Sequence, residues 1–165
     1  MCLPAPPPPA DADPPKMPDR PLQPARQGYP HFETMSTRWM DNDVYGHVNN
    51  VVYYSFFDTA VNRYLIAHDA LDPVHGSVVG LVVHTHCDYF SALSFPQTVQ
   101  AGVRVAHVGR SSVRYEVALF GQGLDVAAAA GHFVHVYVDR ASRRPVDRLP
   151  AALLQALQPL KGPVP

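Results

Sequence analysis

The sequence predicts an α+β domain in which one antiparallel sheet is wrapped around one long central helix. Two observations support this prediction. Residues 50–68 show helical spacing with apolar side chains well beyond a single stripe, and a helix of this kind has to be enclosed on most sides. Residues 81–139 then contain four strand-like stretches, mainly joined by short turns. A sheet that curls over the helix satisfies both observations.

The first thirty residues differ in composition from the rest of the chain. They contain eleven of its 18 prolines and almost no periodic apolar residues. Such a segment cannot bury enough surface to offset its ordering entropy, so residues 1–30 are predicted to be a disordered or polyproline-like tail. A ligand for a proline-binding module is the alternative interpretation. Residues 31–160 are then the single folded domain.

The bulk composition argues against several classes of partner. The net charge of −1 gives no general attraction to nucleic acid or to an anionic membrane. No stretch resembles a membrane span or a secretory signal. Cys2 and Cys87 do not make a disulfide framework, so we expect a reducing, cytoplasmic location.

The elements are predicted in order along the chain. Residues 31–38 alternate as a short strand, and an acidic loop over 41–49 follows, with Gly46 allowing a tight turn. Asn49 or Asn50 is the expected N-cap of the helix. The later elements are four strands and a short amphipathic helix, at residues 81–90, 99–105, 113–119, 126–139 and 149–157.

The acidic loop is the most informative part of the sequence. Asp41 and Asp43 lie two residues apart and are followed by Gly46 and the apolar helix. This order places carboxylates beside a helix N-terminus, where partial positive charge gathers. A carboxylate near such a pole can act on a carbonyl group that the pole also polarises, as acyl transfer requires.

The segment Asp-Xaa-Asp-Xaa-Xaa-Gly-His-Val-Asn-Asn-Xaa-Xaa-Tyr at residues 41–53 resembles the signature of the 4-hydroxybenzoyl-CoA thioesterase family, in its broad acyl-CoA thioesterase branch. The core of the resemblance covers residues 38–63, and a weaker one continues to 150. It implies the hotdog fold and an enzyme that hydrolyses a thioester to a carboxylic acid and coenzyme A. Coenzyme A is then part of the substrate, and no cofactor is expected.

The resemblance also implies two catalytic residues. Asp43 occupies the position of the catalytic aspartate and acts either as a general base toward water or as a nucleophile. The amide of Asn50, at the start of the helix, is placed to bind the oxyanion. Asp41 is interpreted as a turn-forming residue that hydrogen-bonds loop amides.

Further residues are candidates for substrate binding. Tyr45, Gly46, His47 and Asn49 form the rest of the loop, although a purely structural role is an equal alternative for His47 and Asn49. In the family, the turn containing Arg110, Ser111 and Ser112 approaches the nucleotide end of coenzyme A, where an arginine can bind phosphate. An ordinary solvated turn is the alternative for this second group.

The nine histidines raise the question of a metal site. His84 and His86 share one face of a predicted strand, whereas His132 and His135 point to opposite faces of theirs. No third ligand follows from the spacing, so no metal is predicted.

The resemblance also bears on assembly and on the competing functions. It implies a homo-oligomer with a continuous sheet, at least a dimer and by expectation a tetramer, which would cover edge strands. A non-catalytic acyl-CoA or acyl-carrier binding protein is one alternative. A hotdog dehydratase or hydratase using His47 with Asp43 is the other.

Overall fold

The computed structural model describes residues 21–162 of the chain. It contains five strands and two α-helices: β1 (His31–Ser36), α1 (Asn50–Ala67), β2 (Val78–Tyr89), β3 (Thr98–Val108), β4 (Ser112–Phe120), β5 (Ala129–Asp139) and α2 (Ala151–Leu157). Short 3-10 turns lie at Arg26–Gly28, Trp39–Asp41 and Gln158–Leu160. This is the α+β composition that the sequence predicts.

The five strands form one sheet in the order β1-β3-β4-β5-β2, with every pair antiparallel. Strands β1 and β2 are therefore the two edges. The last strand begins later than predicted, because Val126 and Ala127 pair with Ala25 and Pro24 instead of joining β5.

Helix α1 packs on one face of the sheet. Its side chains Phe57 and Val61 are buried among residues of β3 and β4 such as Val103 and Val117. This burial explains how a segment rich in aromatic and β-branched residues stays helical despite their low helix propensity. The helix has 18 residues, about five turns.

The opposite side of α1 corrects the prediction of a long helix enclosed on most sides. Val51 is 64% exposed and Ile66 45% exposed, and the polar residues Ser55, Asp58 and Arg63, which lie between them, are exposed as well. These residues leave one face of α1 open to solvent.

Residues 21–30 correct the predicted disordered tail. Arg26 lies over the Phe120 ring, 4.8 Å from its centroid, and Tyr29 packs edge-on against the same ring at 5.8 Å. Tyr29 is buried on the outer face of the sheet, next to Gly102, whose missing side chain leaves room for the ring. These contacts order the end of a proline-rich segment; the predicted disorder of residues 1–20 lies outside the described residues.

We expect Phe57→Ala to lower the free energy of unfolding by about 3–5 kcal/mol, because it removes a fully buried ring beside Tyr54 and Phe133. Urea denaturation measures this change. Val51→Ala, on the exposed side of the same helix, is the control and should change stability by about 0.5 kcal/mol or less. Equal losses in the two variants would mean that the inner face of α1 is not the core.

Candidate active site

The loop before α1 is folded back on itself by backbone hydrogen bonds. The amide of Asp43 donates to the carbonyl of His47 at 2.8 Å, and the amide of Gly46 donates to the carbonyl of Asp43 at 3.1 Å. Gly46 has a φ of +81°, a left-handed conformation that glycine adopts without strain. The loop is thus a compact turn with Asp43 at its base.

The two carboxylate oxygens of Asp43 have different surroundings. Oδ1 accepts hydrogen bonds from the amide of Tyr45 at 2.8 Å and, over a longer 3.4 Å, from the amide of His47. Within residues 21–162, Oδ2 has no protein hydrogen-bond donor. One oxygen therefore holds the carboxylate in place, and the other remains able to accept a hydrogen bond.

Asp41 has the structural role that the sequence predicts. Its side chain is 1% exposed, and Oδ2 accepts from the backbone amide of Arg38 at 2.7 Å. Oδ1 accepts two bonds from the Arg38 guanidinium, at 3.0 Å and 2.8 Å. Its carbonyl also accepts the amide of Asn49 at 2.8 Å, which ties the loop to the start of α1.

The start of α1 is capped by Asn49, whose Oδ1 accepts the amide of Val51 at 3.1 Å. The next residue, Asn50, is the first of the helix, and its amide has no hydrogen-bond partner within the described part of the chain. Its carbonyl accepts the hydroxyl of Tyr89 at 3.1 Å, so β2 and the helix start are joined. An unpaired amide at a helix N-terminus is a ready site for negative charge.

Asp43 and Asn50 line the same cavity, which has a volume of about 390 Å³. Its other walls come from His47 in the loop, Tyr53 of α1 and the segment from Tyr89 to Ala92. The rings of Tyr53 and Tyr89 meet edge to face at 5.0 Å. The cavity thus joins a carboxylate, a helix N-terminus and an aromatic wall.

Tyr53 and Tyr89 also border the cavity, and the sequence pattern singled out neither of them as a functional residue. The helical spacing places Tyr53 among the mainly structural aromatic residues of α1, and no local pattern marks Tyr89. The Tyr53 hydroxyl accepts the amide of Leu93 at 3.3 Å, so its own proton stays free to donate. Burial raises the pKa of Tyr53, which keeps that proton in place at neutral pH. The sequence could have identified Tyr53 as a cavity residue, because it lies one turn into the helix, directly above Asn49 and Asn50.

Of the loop residues proposed for substrate binding, Tyr45, Gly46 and Asn49 do not line this cavity. Tyr45 is 81% exposed, Gly46 makes the turn, and Asn49 caps the helix. His47 does line the cavity, but its link to Asp43 is through the backbone amide. The side-chain pair that a dehydratase would use is therefore not formed in the described residues.

Arg110 and Ser111 lie in the turn between β3 and β4, and Ser112 is the first residue of β4, so all three are far from Asp43. Ser112 pairs with Val136 of β5, whereas Tyr89, beside the Asp43 cavity, pairs with Ala129. Seven residues of strand separate these two positions, about 23 Å. Within one chain the structure does not bring the two predicted groups together.

Three of the histidines, His84, His86 and His132, cluster on the outer face of the sheet. His84 Nδ1 lies 2.9 Å from His132 Nε2, and His86 pairs with Asp88 at 3.0 Å. The pairing of β2 with β5 brings His132 beside His84 and His86, which the sequence spacing did not show. Among residues 21–162, no three His, Cys, Asp or Glu side chains are arranged to hold a metal ion.

Comparison with known proteins identifies the family. The family model of the thioesterase-like superfamily matches residues 37–157, which include the Asp43 loop, the whole of α1 and strands β2 to β5. The chain belongs to the thioesterase-like superfamily. Its architecture is accordingly a hotdog-type thioesterase fold, whereas membership of the narrower 4-hydroxybenzoyl-CoA thioesterase family stays a prediction.

Several solved structures are similar to this chain. The PA5185 protein from Pseudomonas aeruginosa strain PAO1 is 55% identical, with a TM-score of 0.84, over 87% of this chain and all of that one. A thioesterase from Thermus thermophilus, solved with coenzyme A and Zn, is 33% identical, with a TM-score of 0.66, over 81% of this chain and 96% of that one. The YsmA protein of Bacillus subtilis is a relative by sequence, 24% identical over 78% of this chain and 86% of its own length.

The described residues contain no helix that is both long and apolar enough to cross a membrane.

We expect Asp41→Asn to lower the free energy of unfolding by about 1–3 kcal/mol, because an amide cannot accept all the bonds that the buried carboxylate accepts from Arg38. Chemical denaturation measures this change. Asp125→Asn, at a side chain that is 97% exposed, is the control and should be nearly neutral. A stable Asp41→Asn protein would contradict the structural role of Asp41.

Proposed function

We propose that this protein is an acyl-CoA thioesterase, which hydrolyses a thioester to a carboxylic acid and coenzyme A. The observation that carries the proposal is the meeting of Asp43 and the Asn50 amide in one cavity. Membership of the thioesterase-like superfamily supports the reaction class. The Thermus thermophilus relative, solved with coenzyme A, supports the choice of thiol.

The proposed chemistry divides between the two groups. The Asn50 amide donates to the thioester oxygen, and this interaction strengthens as the carbonyl carbon becomes tetrahedral and the oxygen gains negative charge. The positive end of α1 adds to the same effect. Because backbone amides are fixed before the reaction, they stabilise this charge without reorganising.

Asp43 has two possible parts in the reaction, and both use its unpaired Oδ2. As a general base it takes a proton from water, which attacks the carbonyl carbon, and the proton then goes to the departing sulfur. As a nucleophile it attacks the carbonyl carbon itself and expels coenzyme A as the thiolate, which leaves an acyl anhydride. Water then hydrolyses the anhydride to the product acid and the free Asp43 carboxylate, and a proton from this water goes to the thiolate. A single turnover in ¹⁸O-water tests for the second route, because label in the Asp43 carboxylate arises only when water attacks the Asp43 carbon of an anhydride. Neither route calls on a metal or a redox cofactor.

The nucleotide end of coenzyme A is assigned to the turn of Arg110, Ser111 and Ser112. Arg110 is exposed and borders a cavity of about 350 Å³ together with Arg148 and Asp147. Two guanidinium groups suit a phosphate. Because the turn is far from Asp43 in one chain, this assignment requires either a long extended substrate or the turn of a neighbouring subunit.

The proposed assembly is a homo-oligomer that pairs through β2, with a tetramer built from such dimers. Strand β2 is a 12-residue edge strand, and Leu81, Val82 and Val83 on it are 39%, 47% and 59% exposed. An edge of this length with apolar side chains is open to strand pairing. Antiparallel pairing of two copies would make one continuous sheet.

We expect Asp43→Asn to lower thiol release from acyl-CoA substrates by about 10²- to 10⁴-fold. The new side chain keeps an oxygen for the Tyr45 amide, so the loop should hold its shape while the charge is lost. The measurement is thiol release over a panel of acyl-CoAs, with thermal unfolding to confirm that the fold is intact.

The matched control for this variant is Asp72→Asn. Asp72 makes the same kind of turn, with Oδ1 accepting the amides of Val74 and His75 at 2.9 Å and 2.8 Å, but does not border the Asp43 cavity. It should retain wild-type rates. Full activity in Asp43→Asn would refute the site, and intact thioesters with tight acyl-CoA binding by the wild type would refute the enzyme and favour a binding protein.

We expect Val83→Lys to dissociate the oligomer. Val83 lies near the middle of β2, so a two-fold axis through paired strands places it close to its own copy and brings two like charges together. Light scattering after size-exclusion chromatography gives the mass. Val74→Lys, at a residue that is 67% exposed but outside the strands, is the control. An unchanged mass for Val83→Lys would exclude this edge as the interface.

A further inference from the structure

A second cavity lies at the opposite end of the molecule from Asp43. It has a volume of about 200 Å³ and is bordered by Asn62 and Leu65 of α1, Gly80 of β2, and His135, Tyr137 and Arg140 at the end of β5. Gly80 and Tyr89 are nine residues apart on β2, about 30 Å. Within one chain this cavity is therefore separate from the site proposed for thioester hydrolysis.

The unusual group in this cavity is the ring of His135. The residue is 3% exposed, and its Nε2 is buried with no hydrogen-bond partner in the described structure. Its other nitrogen, Nδ1, faces the space left by the missing side chain of Gly80, where an added Cβ would lie 3.1 Å away. The ring thus has one buried nitrogen without a partner, Nε2, and one nitrogen turned toward the cavity, Nδ1.

The surroundings of Nε2 determine which nitrogen of His135 carries the proton. An unpaired buried N–H group is rarer than an unpaired buried acceptor, so Nε2 is assigned the bare lone pair. Burial also lowers the pKa of His135 to about 4, with the exposed carboxylate of Asp58 opposing this only in part. The ring is therefore neutral at pH 7, and its single proton is on Nδ1, where it can be donated into the cavity.

The remaining polar groups of the cavity favour a negatively charged ligand that accepts hydrogen bonds. Arg140 donates to the carbonyls of Gly76 and Pro73, and its other terminal nitrogen has no partner among residues 21–162. The hydroxyl of Tyr137 is paired with that of Tyr115 at 2.6 Å. None of the bordering residues is acidic, and Leu65, Leu71 and Val79 supply apolar walls.

We propose that the His135 cavity is a second binding site, for a small monocarboxylate with an apolar body. The carboxylate would accept the Nδ1 proton of His135 and lie near the Arg140 guanidinium, while the body would rest against the leucine and valine side chains. A volume of about 200 Å³ suits a single-ring or short branched acid. The class includes acids that thioester hydrolysis can release, but binding here does not depend on turnover.

The test uses benzoate as the probe, titrated calorimetrically into the full chain at pH 7. Wild-type protein should bind one benzoate per subunit at this site, and the neutral analogue benzamide should bind at least tenfold more weakly. Gly80→Ala places a methyl group against Nδ1, and His135→Leu removes the donor. Each should weaken benzoate binding at least tenfold.

Two further variants keep the result interpretable. His135→Asn retains a donor near the position of Nδ1 and should bind within about threefold of the wild type, which a simple packing defect would not allow. Asp43→Asn should leave benzoate binding unchanged, which separates this site from the hydrolytic cavity. Failure of the thioesterase proposal would therefore leave this result unaffected.

The proposal also fixes the ring tautomer. Nitrogen-15 spectra of the imidazole should show the proton of His135 on Nδ1 in the free protein. A proton on Nε2, no saturable benzoate binding, equal binding of benzamide, or affinity that is unchanged by Gly80→Ala and His135→Leu would each overturn it.

Discussion

The burial of one face of α1 against the sheet is the constraint on which the rest of the structure depends. Phe57 and Val61 anchor the helix among the central strands, and this fixes where the helix begins. Its first residue, Asn50, is held further by the hydroxyl of Tyr89 from β2. A polar group can stabilise a developing charge only if it is positioned beforehand, and here the apolar core does the positioning.

The loop before the helix shows why two neighbouring aspartates have different roles. Asp41 is buried, and both of its oxygens accept hydrogen bonds from Arg38, which is a structural arrangement. Asp43 uses one oxygen on loop amides, and its other oxygen has no hydrogen-bond donor in the part of the chain that the structure describes. The fully paired residue ties the loop together, and the half-paired residue is the one to which the proposed reaction assigns chemistry.

The sequence was informative where chemistry and local structure coincide. The strand and helix periods predicted the α+β class, and the loop motif located Asp43, His47 and Asn50, which border one cavity. It failed where contacts are long-range. Tyr89 reaches Asn50 only through the closure of the sheet, and the pairing of β2 with β5 alone brings His132 to His84. The end of the tail depended on Tyr29 finding the outer face of β4, which no local pattern encodes.

Strand β2 connects the two cavities in a way that bears on assembly. One cavity borders its C-terminal end at Tyr89, and the other borders its N-terminal end at Gly80. Antiparallel pairing of two β2 strands about their middle would set the Tyr89 end of one copy beside the Gly80 end of the other. The Asp43 cavity of one subunit would then adjoin the His135 cavity of its partner, although the two are about 30 Å apart in a single chain. Under the proposed reaction, the carboxylate product of one subunit would then form beside the His135 cavity of the other.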